Sequence, residues 1–199
     1  GVSAYGANSY FFDGTNDYLN LGDLDLWDTS GDDNFTIETW VQIRNNDWHN
    51  IFTSIPVLSG TGYTNTGGME LNVNHAGGGV YPFSLRIFSD NSASAYMYVS
   101  SGATVDFDRW YHVAGQKRKL DNGHEYSIFV DGKLANTIFK TTAQPAHGSA
   151  GPAIIGYRRY GGTDYYADMS IDSLRLSKGI ARYGFSGTNA KLGPNAVHH

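Results

Sequence analysis

Cysteine is absent from this chain of 199 residues. Disulfides, thiolate metal sites and cysteine nucleophiles are excluded together. Glutamate is nearly absent as well, found only at Glu38, Glu70 and Glu125. None of the three has an acidic residue two positions away, the spacing that would set two carboxylates side by side on one strand face. No stretch approaches the roughly 18 apolar residues of a membrane helix, and no basic-then-apolar leader opens the chain, so membrane insertion is not expected. Long runs of basic residues are missing too. With 14 basic and 19 acidic residues the net charge is −5, which argues against nucleic acid as a partner. Gly1 in place of Met points to an excised or tagged fragment. The closing His198-His199 reads as the start of a purification tag and stays out of metal arguments.

Strand and turn formers are abundant, with 25 glycines and 14 tyrosines. Phe35, Ile37, Val41 and Ile43 alternate with Thr36, Glu38, Trp40 and Gln42, the period of a half-buried strand. Tyr126, Ile128 and Val130 repeat that rhythm before Asp131-Gly132, a tight hairpin dipeptide. Further strands are expected near 49–59, 69–74, 83–89, 93–100, 109–117, 153–158 and 167–176. Turn clusters at Asn45-Asn46-Asp47, Gly77-Gly78-Gly79, Asp121-Asn122-Gly123 and Gly161-Gly162 separate them. About ten to thirteen short strands fit an all-β sandwich of two packed antiparallel sheets. A single helical turn is expected at Lys178–Tyr183. The domain is set at 9–185, between a loose segment 1–8 and a loose tail 186–199.

Several segments carry a family resemblance in the family's order. Phe12-Asp13-Gly14 with Tyr18-Leu19, Phe35-Thr36-Ile37-Glu38-Thr39-Trp40-Val41 and Asp108-Arg109-Trp110-Tyr111-His112-Val113-Ala114 are three of them. Tyr126 to Lys133, with its Val130-Asp131-Gly132, and Ile171 to Tyr183 are the others. Together they resemble a laminin G-like jelly roll, the concanavalin A-like sandwich shared by lectins, adhesion modules and some glucanases. The resemblance implies fold more than function, because one fold carries many unrelated sites. Extracellular animal relatives often carry a cystine, so its absence here leans toward a microbial or viral source. The segment Leu176–Tyr183 resembles versions of the domain in phage virion proteins and bacterial surface proteins.

The resemblance also implies a calcium ion where the first and last strands meet, held by Asp13 and Asp172, with Asp17 and Asn16 as further oxygen donors. The alternative is structural: Asp13 caps its turn, and Asp172 pairs with Arg175 or Arg182. The acidic loop Gly22–Asn34 lacks the Gly and Glu of an EF-hand and reads as a solvated loop. The histidines do not converge at metal-ligand spacing. His112 is expected in the core as a hydrogen-bonded histidine, and Trp40 is expected to pack there too.

The densest candidate for ligand contact is Tyr157-Arg158-Arg159-Tyr160-Gly161-Gly162-Thr163-Asp164-Tyr165-Tyr166. Aromatic faces flanked by planar donors suit the C–H faces and hydroxyl rims of sugars, and loops on a rigid sandwich commonly hold such sites. Tyr157, Arg158, Arg159, Tyr160 and Tyr165 are the candidate ligand residues, with Trp48 and Tyr63 at a second tip. The expected function is non-catalytic recognition of a glycan or cell-surface polysaccharide, on a virion or extracellular surface. One alternative is a structural or decoration module contacting other virion or surface proteins. A degenerate glycosidase is the other.

Overall fold

A computed structural model describes residues 8–22, 34–54, 68–74, 79–88, 96–142, 152–160, 162–186 and 189–192. The fold is a jelly-roll sandwich of two six-stranded antiparallel sheets. The first sheet runs β1 (Tyr10–Asp13), β14 (Asp168–Lys178), β3 (Phe35–Ile43), β8 (Trp110–Leu120), β9 (Gly123–Val130), β10 (Lys133–Lys140). The second runs β2 (Leu19–Asn20), β11 (Ile154–Ile155), β4 (His49–Thr53), β5 (Gly68–Val73), β6 (Phe83–Phe88), β7 (Tyr96–Ser100). Two hairpins accompany them: β12 (Tyr157–Tyr160) with β13 (Thr163–Tyr166), and β15 (Tyr183–Ser186) with β16 (Asn189–Leu192). No helix occurs among the described residues.

Alternation along each strand builds the core. Phe35, Ile37, Val41 and Ile43 of β3 face Met69, Leu71 and Val73 of β5 and Phe83, Leu85 and Ile87 of β6 between the sheets. Each such side chain contributes about 1.5–3 kcal/mol by leaving water. The sheets pack closely where β8 carries Gly115, since a Cβ there would lie 2.9 Å from Leu85 Cδ1. The turn at Asp131-Gly132 has positive φ at both residues, 51° and 73°, the type I′ geometry that this dipeptide favours. Asp131 then ties the hairpin to β8. Its carboxylate accepts from His112 N at 3.0 Å and from Arg109 at 2.6 Å.

Four expectations are revised. Residues 178–183 form no helical turn: Gly179 takes a φ of 74° and the chain continues extended into β15. Hydrogen bonds from other strands hold it so. Thr36 Oγ1 donates to Ile180 O and accepts from Arg182 N, and the Gln116 amide makes two 2.7 Å bonds with the Tyr183 backbone. The tail expected to be loose from 186 holds strand β16, paired with β15. Trp40 and His112 share the phase of Glu38 rather than that of Val41. They therefore lie on the outer face of the first sheet, half-buried, with ring centroids 5.3 Å apart.

Candidate functional site

The outer face of the second sheet is polar and aromatic. In β5, Glu70 and Asn72 alternate with core residues, and the register aligns them in two rows. One row is Thr53, Glu70, Arg86 and Tyr98; the other is Asn50, Asn72, Ser84 and Ser100. Glu70 is almost wholly buried at 1% exposure, yet it lies on the side away from the core. Its Oε1 accepts from Asn50 Nδ2 at 3.2 Å and its Oε2 from Asn72 Nδ2 at 3.1 Å. Ser84 Oγ donates in turn to Asn72 Oδ1. A carboxylate removed from water needs such donors.

The β12–β13 hairpin folds over this face and supplies the remaining donor. Arg158 is buried, with Nη1 3.3 Å from Glu70 Oε2. Its guanidinium lies 4.1 Å from the centre of the Trp48 ring. Arg86 approaches the same ring at 5.1 Å and stands 5.3 Å from Tyr98. Tyr165 closes the group, its ring centroid 6.2 Å from that of Trp48. Trp48, Arg158 and Tyr165, expected at two separate tips, thus meet at one place. Arg86, Tyr98, Asn50 and Asn72 were not anticipated. Their signal was the polar alternation of Glu70 and Asn72 within an apolar strand, repeated by Arg86 and Tyr98 in the next two strands.

Tyr157 sits at the base of the hairpin and is buried. Its hydroxyl donates to Asp164 Oδ1 at 2.7 Å. Burial first, then the Asp164 carboxylate, pushes its pKa up to about 12. Its ring lies between Tyr166, at 5.1 Å, and the exposed Tyr18, at 5.4 Å. Arg159 is more open and pairs with Asp164 at 3.6 Å. The backbone of Tyr160 closes β12 opposite Thr163. Tyr63 and most of the loop Gly22–Asn34 lie outside the described residues.

His49 anchors the segment that carries Trp48. It is fully buried, its Nδ1 accepts from Asp168 N at 3.2 Å, and its Nε2 lies 3.0 Å from Asn45 O. One nitrogen must accept while the other donates, so the ring is held neutral. Burial lowers its pKa below 6.5, against smaller opposing effects of Asn45 O, Asp47 and Asp168.

Asp13 and Asp172 are not brought together. Asp13 pairs in register with Asp168, whereas Asp172 lies four residues further along β14, opposite Trp40. That separation is about 13 Å along the strand, so the two carboxylates do not form the shared donor set expected of them. Asp13 Oδ1 instead accepts from Thr15 N at 2.8 Å, and Asp17 Oδ2 lies 3.4 Å from Asp13 N. Asp172 Oδ1 accepts from Ser173 Oγ. Arg175 and Arg182, its expected partners, turn to Glu38. Among the described residues no group of three His, Asp or Glu side chains is placed to hold a metal ion.

Glu38 anchors a separate cluster on the outer face of the first sheet. Arg175 Nε donates to its Oε1 at 2.6 Å, Arg182 Nε stands 3.4 Å away, and the Tyr183 hydroxyl donates to Oε2. His112 Nε2 lies 3.6 Å from Oε2. Tyr183 stacks on Phe129 at 4.6 Å, and burial followed by the Glu38 contact raises its pKa. Glu38 and Glu70 therefore occupy opposite outer faces of the sandwich, and Glu125 pairs with Arg118 at 3.0 Å.

A family model described as the concanavalin A-like lectin/glucanases superfamily matches residues 13–180. No curated protein matches the chain. Among solved structures, the CBM40 of Ruminococcus gnavus IT-sialidase bound to α2,3-sialyllactose aligns with a TM-score of 0.53 at 15% identity, covering 83% of this chain and 89% of that one. Domain 4 of an extracellular arabinanase from Geobacillus stearothermophilus, in complex with arabinotriose, aligns at 0.53 with 14% identity, covering 87% and 77%. The NanB sialidase from Streptococcus pneumoniae aligns at 0.62 with 17% identity, over 88% of this chain but 26% of that one. At these identities the likeness is one of fold.

Proposed function

From the premise that the chain belongs to the concanavalin A-like lectin/glucanases superfamily, we propose that it is a non-catalytic glycan-recognition module. Its saccharide-binding surface is the outer face of the second sheet, around Trp48, Arg86, Tyr98 and the β12–β13 hairpin. One observation carries this reading: the rings of Trp48, Tyr98 and Tyr165 and the guanidinium groups of Arg86 and Arg158 converge over buried Glu70. Rings suit the C–H faces of sugars, and fixed planar donors suit their hydroxyls. Tyr157 and Asp164 brace the hairpin, so Arg159, Tyr160 and Tyr165 meet the ligand on a stiff support. Tyr63 is retained as a contact in this proposal. Two fold relatives, one bound to sialyllactose and one to arabinotriose, are consistent with a saccharide ligand.

Hydrolysis is not part of the proposal. Cleavage needs two carboxylates about 5–9 Å apart across the scissile bond, and Glu38 and Glu70 stand on opposite sides of the sandwich. The proposed setting is extracellular, on a virion or bacterial surface; it rests on the resemblance of Leu176–Tyr183 alone.

The test is a glycan array holding neutral and acidic saccharides, with Tyr98→Ala and Arg159→Ala beside the wild-type chain. Binding to a narrow glycan set, weakened in both variants by about 1 kcal/mol or more, is the expected result. Silence across the array, or binding that neither variant changes, removes the site from this face.

A further inference from the structure

His49 opens β4, and its side chain is fully buried. Adjacent residues of an extended chain point to opposite faces. Trp48 accordingly stands on the outer face among Arg158, Arg86 and Tyr165, whereas His49 turns inward to β14. One imidazole there joins three separate pieces of the fold. Its Nδ1 bonds Asp168 N, at the head of β14, and its Nε2 bonds Asn45 O, just beyond the end of β3. A main-chain N–H only donates, so Nδ1 is the acceptor and Nε2 carries the ring proton.

The turn that carries Trp48 hangs from the same two partners. Asn45 Nδ2 donates to Asp168 Oδ2 at 3.2 Å. Asp47 N donates to Asn45 Oδ1 at 3.0 Å, and Trp48 N donates to Asp47 Oδ1 at 2.7 Å. Each bond places the next residue, and the last places the indole. His49 fixes both ends of this series, holding Asn45 through its carbonyl and Asp168 through its N–H.

We propose that His49 is the positioning residue of the saccharide-binding face: its neutral ring holds Trp48 in place, and its protonation frees the turn and releases the ligand. This rests on the reading of that face as a glycan site. An imidazolium has two donors and no acceptor, so its Nδ1–H would confront Asp168 N–H in a fully buried place. The charged groups around the ring do not offset this. Asp47 faces it from the turn and Asp168 from β14, and Asp168 is shared with Arg44 at the end of β3. Asp13 of β1 stands opposite Asp168, and the β5 residue beside His49 is Val73. On the outer side of β4, Glu70 and Arg158 bind each other. Burial outweighs the pull of both Asp47 and Asp168 and keeps the pKa below 6.5. Ligand affinity is therefore complete above 6.5. It falls as pH drops through the lower value of the folded ring, by at most about tenfold per pH unit.

The experiment follows the His49 ring nitrogens and the Trp48 indole N–H by NMR from about pH 7.5 to about pH 4.5. An array of neutral saccharides, in which no ligand group titrates, is read over the same range. The indole signal is expected to shift with the midpoint of the His49 ring while the amide spectrum stays that of the folded chain. Array binding should fall with the same midpoint, toward about tenfold per pH unit. His49→Gln keeps an acceptor and a donor but takes up no proton. It should bind with one affinity across the range, whatever its level at neutral pH. A His49 ring still neutral at about pH 4.5 overturns the proposal. So does an indole that ignores the ring's protonation or moves only with global unfolding, or a loss of binding that His49→Gln shares. Should that variant fail to fold, coincidence of the wild-type ring, indole and binding midpoints upholds the proposal and their separation overturns it. Silence on the array at neutral pH removes the glycan reading alone. The ring and indole midpoints of the unliganded chain then decide whether His49 positions Trp48.

Discussion

Replacing Glu70 by glutamine breaks the buried ion pair on the outer face of the second sheet from one side. Glu70 and Arg158 are 1% and 4% exposed, so neither charge is solvated if its partner is lost. The carboxylate takes three donors: Asn50 Nδ2, Asn72 Nδ2 and Arg158 Nη1. Glutamine keeps the volume but turns one acceptor oxygen into an NH2 facing a donor, and it leaves the guanidinium unbalanced. Breaking a buried pair on one side costs about 3–5 kcal/mol. With one carbonyl acceptor kept, the lower end applies, about 3 kcal/mol, which for a chain of this size lowers the melting temperature by about 6–12 °C. The double variant Glu70→Gln, Arg158→Met removes both charges and should melt well above the single one, with a coupling above about 1 kcal/mol in urea titrations. A Glu70→Gln protein melting within about 2 °C of wild type, or strictly additive variants, would refute the account of Glu70 as a charge held by its neighbours.

Acidification should act through His49. Its pKa is lowered in the folded chain, so below 6.5 the unfolded chain binds a proton that the folded one refuses. The stability contributed is complete above 6.5 and falls as pH drops toward the folded value, by at most about 1.4 kcal/mol per unit. His49→Gln should flatten the slope of urea-derived stability between about pH 6.5 and 5.5; an unchanged slope rejects the assignment. Asp13→Ala should lower stability by about 0.5–1 kcal/mol through loss of the bond from Thr15 N, equally in calcium and in chelator. A wild-type melting point raised by calcium, and not raised in Asp13→Ala, would instead put a calcium ion on that turn. Gly156→Ala should destabilise by about 2–4 kcal/mol, because φ is 82° and the new Cβ would stand 2.7 Å from Phe12 Cδ1; a wild-type melting curve would contradict this.

The local rules were legible where one segment carries the whole cause. Alternation over Phe35–Ile43 and the Asp131-Gly132 turn needed no partner to be recognised, and both stand in the structure as expected. Trp40 and His112 lie outside the core because strand phase, shared with Glu38 and Gln42, outweighs their large apolar surface. The extended course of 178–183 depends on Thr36 and Gln116, which lie on β3 and β8 and leave no trace in the segment itself. Arg158 looked like an exposed tip residue because the carboxylate that buries it is 88 positions away. The grouping of Trp48 with Tyr165 has the same origin: the sheet brings distant tips together, and no local pattern encodes that meeting.

The way the chain enters and leaves the sandwich also decides how it would carry mechanical tension. β1 is sewn to β14, and the segment 180–183 is clamped by Thr36, Gln116 and Glu38, all on the first sheet. A pull between these two points is borne by the first sheet and by the Gln116 amide clamp. The face with Trp48 and Arg158 lies on the other sheet, outside the loaded path. Stretching a single molecule by these ends should therefore break the clamp first, at a force that Gln116→Ala lowers, while a ligand on the second sheet leaves that force unchanged.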